Sequence, residues 1–275
     1  MSWRRWARPP RRRPQLPPRR LSTFSIVGRC ERTGQLGVAV STADVAAGRL
    51  VCWARAGVGA VATQSWPSLY LAIDALAAME EGASAPEAME RVLAGDPGRE
   101  VRQLGVVDAA GGSASFSGDE CTTWYGQVSG HNFAAQGNML IRGDTVSAMA
   151  ESFGTSEGTE LDLAERLVRA LEAGQAGGGD KRGRQCAALL VVDREAYPLW
   201  DLRVDEHPQP VAELRRIHGI ARHQLLPFVE GLPTRENPLG SLSDEFVEMN
   251  LLPPPRRPGG GGSAPADASA LEEAS

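Results

Sequence analysis

Polar and apolar residues alternate in two short stretches, Thr23-Phe24-Ser25-Ile26-Val27 and Gln35-Leu36-Gly37-Val38-Ala39-Val40-Ser41. A period of two marks a half-buried strand, and the Thr33-Gly34 turn between them predicts a hairpin. Leu50–Ala54 and Val58–Gln64, split by Ala56-Gly57, read as a second strand pair. The Ser65-Trp66-Pro67 corner opens a helical period that carries Leu69, Ile73, Leu76 and Met79. Ser84 and Glu87 then form a capping box for a helix that stops near Gly95.

Strands are expected again over Val101–Asp108, Ser113–Phe116 and Thr122–Tyr125, and a further one ends at Ala135-Gln136-Gly137-Asn138. Helices follow near 144–153 and 160–173, the second amphipathic through Leu161, Ala164, Leu167, Val168 and Leu171. The apolar run Gln185–Asp193 pairs with Leu199–Val204, and a last helix begins at about Pro208 with Val211, Leu214 and Ile217. Strands and helices thus come in blocks joined by hairpin-length links. That order predicts an α+β fold, a four-layer αββα sandwich of two mainly antiparallel sheets covered by helices.

Composition narrows the class. Of 275 residues, 42% are hydrophobic and 23% charged, which is enough apolar matter for one domain and rules out global disorder. No run approaches the roughly 18 unbroken apolar residues of a membrane span. The net charge of −5 is uneven: residues 1–20 hold eight arginines and no acid, leaving about −13 on the rest. Such a body repels nucleic-acid phosphates. Four scattered cysteines, Cys30, Cys52, Cys121 and Cys186, have no metal-ligand spacing, so neither a metal nor a cofactor is expected and a reducing cytoplasm fits.

The ends read differently from the middle. Residues 1–22 form an Arg/Pro-rich segment expected to lack structure. Three readings stand open for it: a basic arm, a removable leader, or a start assigned too far upstream, with initiation at Leu21. The folded domain is expected over residues 23–222. The extension 223–275 should be disordered from about 253, with Leu225, Leu226, Phe228 and Phe246 able to clip the earlier part onto the domain.

Polar residues that a bare scaffold does not need gather at strand ends. Thr63-Gln64-Ser65 closes one strand, Gln136 and Asn138 flank Gly137 at the end of another, and Thr23 and Ser25 share one face of the first. The run Gly179-Asp180-Lys181-Arg182-Gly183-Arg184-Gln185 sets an acid and three bases just before the most apolar strand. Its glycines would let backbone N–H groups approach an anion. No GxSxG, HExxH, Walker A or strand-to-helix GxGxxG motif occurs, and His131 reads as a turn residue.

Six ordered segments carry a resemblance: Thr23–Val27, Leu36–Ser41, Trp53–Gln64, Asp96–Asp108, Gln136–Leu140 and Gly179–Gln185. Over about Thr23 to Arg222 the chain resembles the bacterial family catalogued as domain of unknown function 1028, grouped with the N-terminal nucleophile (Ntn) hydrolases. The resemblance implies an αββα fold and cleavage of a C–N amide bond in a small substrate by a residue at the mature amino terminus. Thr23 is the first candidate nucleophile and Ser22 the second, since Met removal from a chain begun at Leu21 exposes Ser22. The α-amino group serves as base, its reference pKa of about 7.7–8.0 being close to neutrality. Supporting roles follow by position: Ser41 and Thr63 bond the amine or hydroxyl, and Gln64 and Asn138 donate to the oxyanion. Gln136, Gly137, Asp180, Arg182 and Gln185 are expected to hold substrate or orient the nucleophile. The expected partner is a small amide-containing substrate, with self-association left open. The alternative is an inactive binding or accessory module that keeps the fold.

Overall fold

The structure, a computed structural model, describes residues 23–264. Its first strand, β1 (Thr23–Arg29), turns at Cys30–Gln35 into β2 (Leu36–Thr42), with Gly34 at φ 77° supplying the left-handed turn residue. A one-turn helix, α1 (Gly48–Val51), leads into β3 (Cys52–Arg55) and β4 (Gly59–Ser65). Two helices follow: α2 (Leu69–Glu80) and α3 (Ala85–Ala94). The predicted capping box is present, with Ser84 N donating to Glu87 Oε2 at 2.8 Å. Then come β5 (Arg102–Asp108), β6 (Ser113–Ser117), β7 (Gly126–Gly130) and β8 (Phe133–Asn138). Helices α4 (Asp144–Thr155) and α5 (Leu163–Ala176), strands β9 (Cys186–Val192) and β10 (Trp200–Val204), and helix α6 (Pro210–Gln224) complete the domain.

Two expectations need correction. Thr122–Tyr125 is rich in strand formers but forms no strand, because its carbonyls serve a different neighbour: Met139 N bonds Thr122 O (2.8 Å) and Leu140 N bonds Trp124 O (2.9 Å). The ladder begins only at Gly126. The stretch from Leu50 opens as the last turn of α1, and the strand starts at Cys52.

All strand pairs are antiparallel. One sheet has six strands in the order β10-β9-β2-β1-β8-β7, and the other has four in the order β3-β4-β5-β6. Alternation along each strand sorts side chains into layers. From β1, Phe24 and Ile26 point to α4 and α5 and join Met149, Phe153, Leu167 and Leu171 in one core. Val61, Leu104 and Val106 of the four-stranded sheet join α2 and α3 residues in a second. Between the sheets lie Val27, Val38, Val40, Ala60, Ala62, Val107 and Ala134. The molecule is therefore the expected αββα sandwich.

Beyond α6, Leu225 and Leu226 pack against the first core, and Phe228 of α7 (Leu226–Glu230) stacks on Phe246 of α8 (Asp244–Leu251) at 5.4 Å. Pro254–Arg256 makes a 3₁₀ turn, and Gln224 Nε2 donates to the carbonyls of Pro258 (3.0 Å) and Gly260 (2.8 Å). No helix among the described residues is long and apolar enough to cross a membrane.

Candidate active site

Thr23 is the first residue of β1, an interior strand of the six-stranded sheet, and it is buried. Register sets Thr42 of β2 on one side of it and Asn138 of β8 on the other. All three face the four-stranded sheet, on the same parity as Val27, Val40 and Ala134.

Two networks meet at this strand end. One runs outward: Thr23 Oγ1 donates to Thr42 Oγ1 (3.3 Å), and Thr42 Oγ1 donates to Asp44 Oδ2 (3.1 Å). Arg182 clamps Asp44 through Nη1 (3.2 Å) and Nη2 (2.8 Å), and Arg182 Nη2 also reaches Asp180 Oδ2 at 3.1 Å. Asp180 is buried and further fixed by the N–H groups of Ala43 (2.9 Å) and Arg182 (2.8 Å). Burial alone would lower the Arg182 guanidinium. The hydrogen bonds from Asp44 and Asp180 outweigh it and hold that group above its ordinary value.

The other network runs inward between the sheets. Gln103 Oε1 accepts from Gln64 Nε2 (2.7 Å) and Asn138 Nδ2 (3.0 Å), while Gln103 Nε2 donates to Ser117 Oγ (2.7 Å) and Gly137 O (2.9 Å). Ser25 Oγ donates to Gln64 Oε1 (2.6 Å) and accepts from Gln136 Nε2 (2.7 Å). Gln64 Nε2 also lies 3.3 Å from the Thr23 carbonyl oxygen. Gly105 makes room for this cluster: a Cβ there would sit 2.2 Å from Gln136 Oε1. Ser25, Gln64, Gln103, Gln136 and Asn138 are each at most 1% exposed, so each hydrogen bond here replaces one that water would otherwise supply.

Of the residues singled out in the sequence, Thr23, Gln64, Gln136, Asn138, Asp180 and Arg182 are brought together. Thr63 and Ser41 are not part of the cluster. Thr63 shares parity with Val61, faces α2, and its hydroxyl donates to Ser68 O at 3.2 Å. Ser41 lies on the parity of Ala39, toward the α4–α5 layer. Gly137 contributes its carbonyl, and Gln185 its N–H, to Thr42 O at 3.0 Å. Ser22 lies outside the described residues. Cys186 is a buried thiol whose proton affinity burial raises, as a packing residue's should be.

Thr42, Asp44, Ser25 and Gln103 were missed as site residues. Gln103 was legible in principle: it is a carboxamide inside an apolar strand, on the same parity as Gly105 and Val107. No group of three or more His, Cys, Asp or Glu side chains among the described residues is placed to hold a metal. His131 sits in the β7–β8 turn, at the opposite end of the sheet from Thr23.

A family of unknown function, DUF1028, matches residues 23–214. The chain belongs to DUF1028. A solved DUF1028 protein from Silicibacter pomeroyi is 29% identical, with a TM-score of 0.73 over 81% of this chain and 96% of that one. Both the first β-segment and the charged loop fall inside the DUF1028 match. Anbu (ancestral beta-subunit) from Yersinia bercovieri is 12% identical, covering 77% of this chain and 98% of that one at a TM-score of 0.33, too weak a likeness to build on. No curated protein matches the chain.

Proposed function

We propose that this protein is an Ntn-type amidohydrolase whose nucleophile is the Thr23 hydroxyl, acting once the Thr23 nitrogen is a free amine. The observation that carries the reading is the placement of Thr23 at the head of an interior strand, its hydroxyl already on a Thr42–Asp44–Arg182 chain. A threonine hydroxyl is a weak nucleophile and needs a base within reach, which its own α-amine supplies.

The steps balance as follows. The amine takes the Oγ1 proton as oxygen attacks the substrate carbonyl, giving a tetrahedral oxyanion. The ammonium then protonates the departing nitrogen as the C–N bond breaks, leaving an ester on Thr23. Water, deprotonated by the same amine, attacks that ester, and the carboxylic acid leaves as Oγ1 recovers its proton. Asn138, across from Thr23 in register, is the proposed oxyanion donor, a role worth roughly 2.7–4 kcal/mol where measured elsewhere. Gln64 is a positioning residue instead, because its Nε2 spends both hydrogens on Gln103 and the Thr23 carbonyl, whereas Asn138 Nδ2 gives Gln103 one of its two. Asp44 and Arg182 position the nucleophile through Thr42.

The test is hydrolysis of an amide library by full-length and leader-free protein, with intact mass taken on the active fraction. Activity that requires a chain beginning at Thr23 supports the reading, and one beginning at Ser22 moves the nucleophile there. Ligand binding without turnover by a Thr23-initiated chain would favour the binding module. The rate should fall as pH drops through the amine's pKa, near 7.7–8.0 by reference values, because protonation removes the base.

A further inference from the structure

We infer that the rim of this site carries a subsite for a carboxylate attached to an apolar group, formed by Lys181, Trp124 and Ile141. The starting point is composition. Lys181 is the single lysine in a chain whose other 28 basic residues of the Lys/Arg class are arginines. Arginine and lysine are not equivalent: the ammonium is a compact point charge with three donors on a flexible stem.

The surroundings of Lys181 differ from those of its neighbours. Arg182 is neutralised by Asp44 and Asp180, and Arg184 is turned to Gln209 through Nη1 (2.6 Å). Lys181 has no ion-pair partner among the described residues. Its Nζ donates to the Thr123 carbonyl at 2.7 Å, leaving two donors for a ligand.

That carbonyl belongs to the residue just before Trp124. Residues 122–124 and 179–181 flank the same stretch, the continuation of β8 past Asn138. Met139 N bonds Thr122 O (2.8 Å), Leu140 N bonds Trp124 O (2.9 Å), Lys181 N bonds Met139 O (3.1 Å) and Ile141 N bonds Gly179 O (3.1 Å). The indole lies over two glycines: a Cβ at Gly126 or Gly143 would come within 2.5 or 2.6 Å of it. It is nonetheless 37% exposed, and Ile141 is 55% exposed. One exposed tryptophan is ordinary. An exposed indole, an exposed isoleucine and an uncompensated ammonium, on segments hydrogen-bonded to residues 139–141 just past the strand partner of Thr23, form a recognition surface for an anion with an apolar body. The inference rests on the amidohydrolase reading only for the claim that this ligand is the substrate: an amide with a carboxylate and an apolar side group, as in acylated amino acids.

The experiment uses full-length protein and 3-phenylpropanoate, which has the carboxylate and the ring but no amide to cleave. Biosynthetic labelling with [ε-¹³C]lysine keeps the charge and all three N–H donors and places one side-chain reporter, at Lys181. 3-Phenylpropanoate should shift that resonance saturably, whereas 3-phenylpropanol should not. Lys181→Gln should weaken binding about tenfold or more, the scale of a lost charge-assisted contact, and Trp124→Ala about tenfold. Arg142→Gln, which removes a nearby exposed charge, should leave affinity within about twofold. Equal shifts with the alcohol, unchanged affinity in Lys181→Gln, or equal losses in Lys181→Gln and Arg142→Gln would each overturn the subsite. Binding repeated in Thr23→Ala separates the two claims. Retained carboxylate binding in a wild type that hydrolyses no amide sinks the hydrolase reading alone. Amide hydrolysis with no carboxylate binding sinks the subsite alone.

Discussion

The space between the two sheets is built in two contrasting ways. Toward the β1–β2 turn it is filled by Val27, Leu36, Val38, Ala60, Val107 and Ala134, a dry contact that any αββα sandwich needs. Toward the Thr23 end, positions of the same parity on the same strands are Thr23, Ser25, Gln64, Gln103, Gln136 and Asn138, equally buried and joined by hydrogen bonds. Burying so many carboxamides costs more than burying valines; the hydrogen bonds among them offset most of that cost, with Gln136 Oε1 left as a buried acceptor without a partner among the described residues. The apolar half therefore makes the fold, and the polar half fixes the head of β1 to within a hydrogen bond's tolerance.

Four substitutions sharpen that contrast. The largest effect is expected from Thr23→Ala, which should lower the proposed amidase activity by at least about 10³-fold while thermal melting stays within a few degrees. Next is Leu36→Ala in the apolar half, a loss of about 3 kcal/mol in urea unfolding with kcat/KM per folded molecule unchanged. Gln103→Leu in the polar half strands the donors of Gln64 and Asn138. It should cost about 2–3 kcal/mol and, unlike Leu36→Ala, lower kcat as well. Asp44→Asn keeps the shape of the outer chain but removes the charge facing Arg182. It should lower kcat by about tenfold or more, with KM and stability little changed.

The smallest effect lies away from both halves. Burial, with Arg222 adding to it, holds the His218 imidazole below its ordinary value, where it packs edge-on to Trp200 at 5.1 Å. The fold thus prefers the neutral ring. Its contribution is fully present above the unfolded pKa of about 6.5 and is lost as pH falls from there toward the folded value. His218→Gln should flatten the pH dependence of stability in that window, as read from urea midpoints.

Much of this arrangement was legible in the chain. Period-two alternation placed Thr23 and Ser25 on one face, and the blockwise order gave the sandwich. What failed was the treatment of neighbouring polar residues as one group. Thr63 and Gln64 are adjacent in a strand and must face opposite ways, so only one of them can enter the cluster. Ser41 and Thr42 differ in the same way, and the one that reaches Thr23 is the one passed over. Asp44 lies past the end of β2 and is drawn in only by Arg182, a pairing across 138 positions that no local pattern announces. Thr122–Tyr125 has strand propensity, but its hydrogen bonds go to residues 139 and 140 rather than to a ladder.

The most direct test of the proposed hydrolase is the identity of the amino terminus on the fraction that turns over an amide. Mass spectrometry and amine-specific labelling of that fraction should find Thr23 first, its α-nitrogen free and its reactivity abolished by acetylation. Full turnover by chains still carrying residues 1–22 would contradict the account.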